Sequence, residues 1–141
     1  NNYIAYSDSI NIWHEAKIIQ QPKYPWELVQ LGNAGSPIET AEGWLVLTHA
    51  VGPMREYTLG ASLYELGNPE NEIGRLSSPI MVPNETEREG YVPNVIYSCG
   101  SIIHNEDLIL LYAMSDHSST YATINLRELL DVLIASGSEK G

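Results

Sequence analysis

Gly43 to Leu66, reading GWLVLTHAVGPMREYTLGASLYEL, is the stretch that most narrows what this chain can become. Trp44 to His49 is too apolar for a strand with one wet face, so burial on both sides is expected. The run ends by delivering a polar pair, Thr48 and His49. A second extended segment, Tyr57 to Leu66, places Leu59, Ala61, Leu63 and Glu65 on one face and Thr58, Gly60, Ser62 and Tyr64 on the other. Gly52-Pro53 breaks the chain between them, and Arg55, Glu56 and Tyr57 then gather within three residues. A buried strand ending in a histidine, followed by a loop with an arginine and a tyrosine, is how sheet scaffolds present sites.

The rest of the chain follows the same pattern of short strands and turns. Tyr3 to Ser7 alternates as a short strand, Asp8-Ser9 turns it, and Trp13 stands nearby as a large apolar anchor. Ala16 to Gln20 reads as a second short strand and Trp26 to Leu31 as a third, closed by Gly32-Asn33-Ala34-Gly35, a link that permits positive φ. Gly67 to Asn71 is a turn cluster with room for one helical turn at Pro69, and Ile73 to Val82 carries no regular pattern. Val95 to His104 and Leu108 to Met114, separated by Asn105-Glu106-Asp107, give the strongest hairpin signal, and Thr120 to Ile124 adds one more strand. Only then does a helical period appear, with Leu126, Leu129, Leu130, Leu133 and Ile134 on one face. Asn125 and Glu128 are spaced as an N-cap and its capping-box partner, and Ser136-Gly137 predicts the stop. The expected fold is all-β with one C-terminal helix. A propeller blade takes about 40–45 residues and four strands, so the chain holds roughly three blades' worth. The pattern alone does not separate blades from a β-sandwich.

At 141 residues and 43% apolar composition the chain amounts to at most one ordinary domain. A formal charge of −11, with seven lysines and arginines spread thinly, gives no basic face for phosphodiester backbones, so no nucleic-acid partner is expected. No run of about 18 apolar residues offers a membrane-spanning helix, so no membrane partner is expected. The one cysteine, Cys99, lies in the apolar run VIYSCG and reads as an inert buried thiol. With no visible signal peptide a cytoplasmic location is the expectation, with a periplasmic or secreted one left open. The chain opens on strand-like residues without an initiator Met, as a fragment or a processed product would.

Several runs occur in an order that resembles glycoside hydrolase family 130, the β-mannoside phosphorylases and related β-mannosidases. They are Gly43-Trp44-Leu45, Thr48-His49-Ala50-Val51-Gly52, Tyr57 to Leu66, Ile73-Gly74-Arg75, Glu87 to Val95 and Tyr112 to Asp116. Trp13 and the Trp26-to-Gly35 segment extend the likeness over nearly the whole chain. The resemblance implies a five-bladed β-propeller with its site at the central axis, and residues 1–141 as the C-terminal portion of that single domain. It implies inverting chemistry on β-1,4- or β-1,2-manno-oligosaccharides. An acid protonates the leaving group, in phosphorylases through a hydroxyl of the sugar. Inorganic phosphate then attacks from the opposite face, where a hydrolase uses water. Phosphate is thus a possible co-substrate, and no cofactor or metal is expected. By the same resemblance the catalytic aspartate belongs to sequence outside this chain, and no catalytic residue is assigned here.

The resemblance assigns His49 and Gln30 to phosphate binding or water positioning, and Arg55, Tyr57, Arg88, Asn94 and Asp116 to substrate binding. Gln30 stands where the phosphorylases usually carry a lysine. Its amide donates hydrogen bonds without charge, which tilts the balance toward hydrolysis or an altered acceptor. Read without the resemblance, His49 is a strand-end histidine satisfied by backbone, and Arg88 is a solvated charge among Glu85, Glu87 and Glu89. Asp116 is then an Asx-turn residue, and Asp116 and His117, adjacent on extended backbone, point apart and make no metal pair. The alternative function is a non-catalytic carbohydrate-binding or assembly module. An unpaired strand at Tyr3 to Ser7 would also invite pairing into a homo-oligomer.

Overall fold

The computed structural model describes residues 1–83, 95–114 and 118–138, with Cys99 and Met114 described by their backbone. In chain order its elements are β1 (Asn2–Ile4), β2 (Lys17–Gln20), a 3-10 turn (Pro25–Glu27), β3 (Gln30–Asn33), β4 (Ile38–Glu39), β5 (Trp44–Val51), β6 (Tyr57–Tyr64), β7 (Glu72–Arg75), β8 (Ile96–His104), β9 (Asp107–Met114), β10 (Ser118–Asn125) and α1 (Leu126–Ser138). The chain is mostly β with one C-terminal helix. The first main sheet has the order β3-β5-β6-β7, with β4 on the same β5, and the second the order β8-β9-β10; β1 and β2 pair apart from both. All the pairings between these strands are antiparallel, and among the described residues no sheet closes on itself.

The β5–β6 pair is the centre of the molecule, in register from Trp44 opposite Tyr64 to Val51 opposite Tyr57. Leu45, Val46, Leu47 and Thr48 are all buried, as their unbroken apolarity requires. The two faces separate as the alternation predicts. Leu45, Leu47, Leu59, Ala61 and Leu63 pack with Ile96, Leu108 and Leu110 of the second sheet and with Leu129, Leu130 and Leu133 of α1. Each buried leucine contributes about 1.5–3 kcal/mol. Glu65 lies beyond the end of β6 and is exposed. The backbone N–H of Glu128 donates to the Asn125 side chain at 3.0 Å, which is the expected N-cap. The helix then runs through Gly137 to Ser138. It lies so close over β7 that a Cβ on Gly74 would stand 2.2 Å from the Leu133 carbonyl.

Three local expectations are corrected. Trp26 to Leu31 is not one strand: Pro25 opens a 3-10 turn, Leu28 and Val29 are exposed, and β3 starts only at Gln30. The Glu27 carboxylate accepts from the backbone N–H groups of Lys23 and Tyr24 and holds that turn closed. Ile73 to Val82 is not without regular structure throughout: Ile73 to Arg75 belong to β7, the fifth strand of the first sheet. Trp13, expected as an anchor, is 65% exposed.

The other face of β5–β6 is closed by a buried polar network. Arg75 donates through Nε and Nη2 to Glu72 at 2.8 and 2.6 Å, and through Nη1 to Glu27 at 3.2 Å and the Gln21 carbonyl at 2.8 Å. Gln20 donates to Glu72 and to Ser62 of β6, and Asn2 donates to Gln20. One guanidinium thereby ties β7 to the 3-10 turn and, through Gln20, to β1 and β2. Tyr64, buried beside it, has its phenol pushed above the ordinary value of 10.0, first by burial and next by Glu72, with Arg75 opposing. A raised folded-state value means that the neutral phenol stabilises the fold; that contribution is complete below the unfolded value and is lost as pH climbs toward the folded one. Melting temperatures are expected to fall above about pH 10, and Tyr64→Phe is expected to flatten that fall. An equal alkaline slope in both proteins would remove Tyr64 as its cause.

Candidate functional site

Strand pairing assembles the site at one end of the first sheet. Gln30 of β3 lies opposite Val51 of β5, and Val51 opposite Tyr57 of β6. Two residues back along the strands, Gly32 lies opposite His49, and His49 opposite Leu59. Residues directly opposite in an antiparallel ladder point to the same side, as do residues two apart along a strand. Gln30, His49 and Tyr57 therefore share one face. Two strand spacings separate Gln30 from Tyr57 and two residues separate the rows, a patch of about 10 by 7 Å. This is the face that carries the leucine core, so the polar end continues an apolar wall.

His49 is half-buried. Its Nδ1 lies 3.1 Å from the backbone carbonyl of Asn33, and the Tyr97 ring of β8 stands 5.8 Å from its own, tilted by 51°. The second sheet thus meets the first at this point. Val95 forms a parallel bridge with Tyr57, next to Ile96, which pairs with Met114. Arg55 is in the β5–β6 loop, beyond the row of Gln30, Val51 and Tyr57. Its backbone is held at φ 58, with its N–H donating to the Gly52 carbonyl at 2.9 Å. That left-handed conformation costs a residue with a Cβ about 1–2 kcal/mol. Arg55 is exposed, Tyr57 half-buried and Gln30 exposed. Four of the seven residues expected at the site stand at this one end. Arg88, Asn94 and Asp116 lie outside the described residues.

Gly32, Asn33 and Tyr97 were not singled out from the sequence. In the sequence Gly32-Asn33 belongs to a link that permits positive φ, and Tyr97 lies within an apolar run. A bulge between Tyr97 and Gly100 shifts the register there, so simple alternation does not find Tyr97. A cleft of about 450 Å3 lined by Ile4, Ile19, Trp44, Val46, Tyr64 and Leu66, among others, lies on the opposite face of the sheet and is not part of this site. Among the described residues no three His, Cys, Asp or Glu side chains gather as a metal site. No helix of the described residues is long and apolar enough to cross a membrane.

Fold and site together define a class: a predominantly antiparallel β protein with one C-terminal helix, carrying an imidazole, an amide and two phenols where strands from two sheets meet, with an arginine on the adjoining loop. Such groups suit hydroxyl-rich or oxyanionic ligands. The model of glycoside hydrolase family 130, described as β-1,4-mannooligosaccharide phosphorylase, matches residues 2–135. A 1,2-β-oligomannan phosphorylase of Thermoanaerobacter sp. (strain X514) is 34% identical over 129 residues, covering 90% of this chain and 44% of the relative. A β-1,2-mannobiose phosphorylase of the same strain is 40% identical over 94 residues, covering 66% of this chain and 31% of the relative. The solved β-1,2-mannobiose phosphorylase of Listeria innocua, in complex with β-1,2-mannobiose, superposes with a TM-score of 0.85 at 27% identity, covering 94% of this chain and 38% of that one. The chain belongs to glycoside hydrolase family 130. It spans less than half the length of these relatives.

Proposed function

We propose that the full-length protein is an inverting β-mannoside phosphorylase whose substrates are β-1,2-linked manno-oligosaccharides, and that residues 1–141 supply the C-terminal blades of its five-bladed propeller. The observation that carries this reading is the alignment of Gln30, His49 and Tyr57 across three strands, within a chain whose more similar relatives carry the names of β-1,2-mannoside phosphorylases. In this reading His49 and Gln30 receive inorganic phosphate. Tyr57 and Arg55, with Arg88, Asn94 and Asp116, contact the sugar. The bond from C1 to the glycosidic oxygen breaks as a phosphate oxygen bonds C1 from the opposite face. The leaving oxygen takes its proton from an acid outside this chain. Phosphate must enter a chain of net charge −11, so local donors carry the recognition.

Hydrolysis is the second reading, favoured by one observation: Gln30 is a neutral amide at a position where a cation would serve phosphate better. Incubating the full-length protein with β-1,2-mannobiose, with and without inorganic phosphate, separates the two. Mannose 1-phosphate formed only with phosphate is the expected product. Free mannose at equal rates in both conditions selects the hydrolase, and no turnover in either overturns both.

A further inference from the structure

The His49 ring is held on three sides by groups that no sequence motif points to. At one edge, Nδ1 faces the Asn33 carbonyl at 3.1 Å. A carbonyl oxygen only accepts, so Nδ1 carries the proton, and Nε2 of the neutral ring carries a lone pair. Beneath the other edge lies Gly32: a Cβ built there would meet Cε1 at 2.6 Å and Nε2 at 2.7 Å. Any larger residue at 32 would displace the ring. Against it stands the ring of Tyr97. The titratable groups on the strands beside it are Tyr57 and Tyr64 on β6 and Tyr97, Cys99 and His104 on β8, with Arg55 and Glu56 in the β5–β6 loop; of these Tyr57 shares its face of the sheet, Tyr64 lies on the other face, and Tyr97 stands against its ring. Its register neighbours Gly32 and Leu59 do not titrate.

We infer that Gly32 and Asn33 are positioning residues that fix His49 as the Nδ1–H tautomer with Nε2 as its working atom, so that His49 donates to an anion only when its ring carries a second proton. The step deepens the phosphate reading of the same site and rests on it. Toward a sugar hydroxyl or a water, a neutral Nε2 is a good acceptor and no further proton is needed. Toward an ionised phosphate oxygen, which only accepts, a neutral Nε2 sets lone pair against lone pair. Binding of such an oxygen at Nε2 is therefore coupled to uptake of one proton by the ring, and sugar binding is not. A Gln at position 49 would donate at every pH, because an amide N–H does not titrate.

The test uses the full-length enzyme with inorganic phosphate and β-1,2-mannobiose. The kcat/KM for phosphate is measured across pH for the wild type and for His49→Gln. Their ratio removes the titration of phosphate itself, which both share. The ratio is expected to fall as pH rises, while the ratio for mannobiose stays flat. Gly32→Ala, which crowds the end of a side chain and not backbone, is expected to raise the phosphate KM several-fold without lowering the melting temperature. Nitrogen NMR of His49 in the same protein reads the tautomer directly. A neutral ring protonated at Nε2, or a phosphate ratio that does not change with pH, overturns the inference. If no phosphate-dependent turnover is found at all, the phosphorylase reading has failed, and the NMR alone decides the positioning: Nδ1–H upholds it and Nε2–H ends it.

Discussion

Arg75→Met is expected to cost about 3–5 kcal/mol of stability, which would make it among the most damaging single substitutions in the chain. Methionine keeps the apolar stem of the arginine and removes the cation. Glu27, 1% exposed, then loses its charged partner, and Glu72 loses two hydrogen bonds from the same guanidinium. Breaking a buried pair from one side costs more than the pair contributes, because the remaining carboxylates stay desolvated and charged. The damage is not local. Through Gln20 and Asn2 the network holds β1 and β2. Thermal melts should drop by roughly 10 °C for a chain of this size. Neutralising the acids in the same background, as Arg75→Met with Glu27→Gln and Glu72→Gln, should recover part of the loss, since the uncompensated charge is what destabilises. A loss below about 1 kcal/mol for Arg75→Met would mean that water reaches the carboxylates and that the network does not organise the fold.

That network also marks where the sequence stops being informative. The two faces of β5–β6, the β8–β9 hairpin and the capped helix were legible because each is a local pattern: period two, a turn between two apolar runs, period 3.6. Glu27 and Arg75 are 48 residues apart, and nothing near either one names the other. WELVQL reads locally as a strand, and the turn begun by Pro25 prevails. The site divides in the same way. His49 at the end of a buried strand and Tyr57 at the start of the next were visible as residue types. That Gln30 joins them across Val51 is a fact of register, which only strand pairing fixes. Gly32 was read for its backbone freedom, whereas what position 32 requires is clearance for an imidazole. Arg88, Asn94 and Asp116 rest on family resemblance alone.

His49→Ala in the full-length protein is expected to lower kcat/KM for phosphate by up to about a hundredfold and to change the KM for β-1,2-mannobiose little. A hydrogen bond to a charged group is worth about 1.5–3 kcal/mol, and a phosphate left without that donor gains no compensating partner from an alanine methyl. The fold should tolerate the change. His49 is half-buried at the open end of β5, its ring lies over a glycine, and the leucine core begins only at Leu47 and Leu59. An unchanged melting temperature would therefore accompany the lost activity. The opposite substitution on the neighbouring strand completes the argument. Gln30→Lys adds a cation on the same face and should recover about tenfold of phosphate use in the His49→Ala background, because a charge-assisted bond replaces a neutral one. If His49→Ala instead weakens mannobiose and phosphate equally, the ring serves the sugar. The face shared by Gln30, His49 and Tyr57 would then be one wall of a saccharide subsite, with the phosphate held elsewhere.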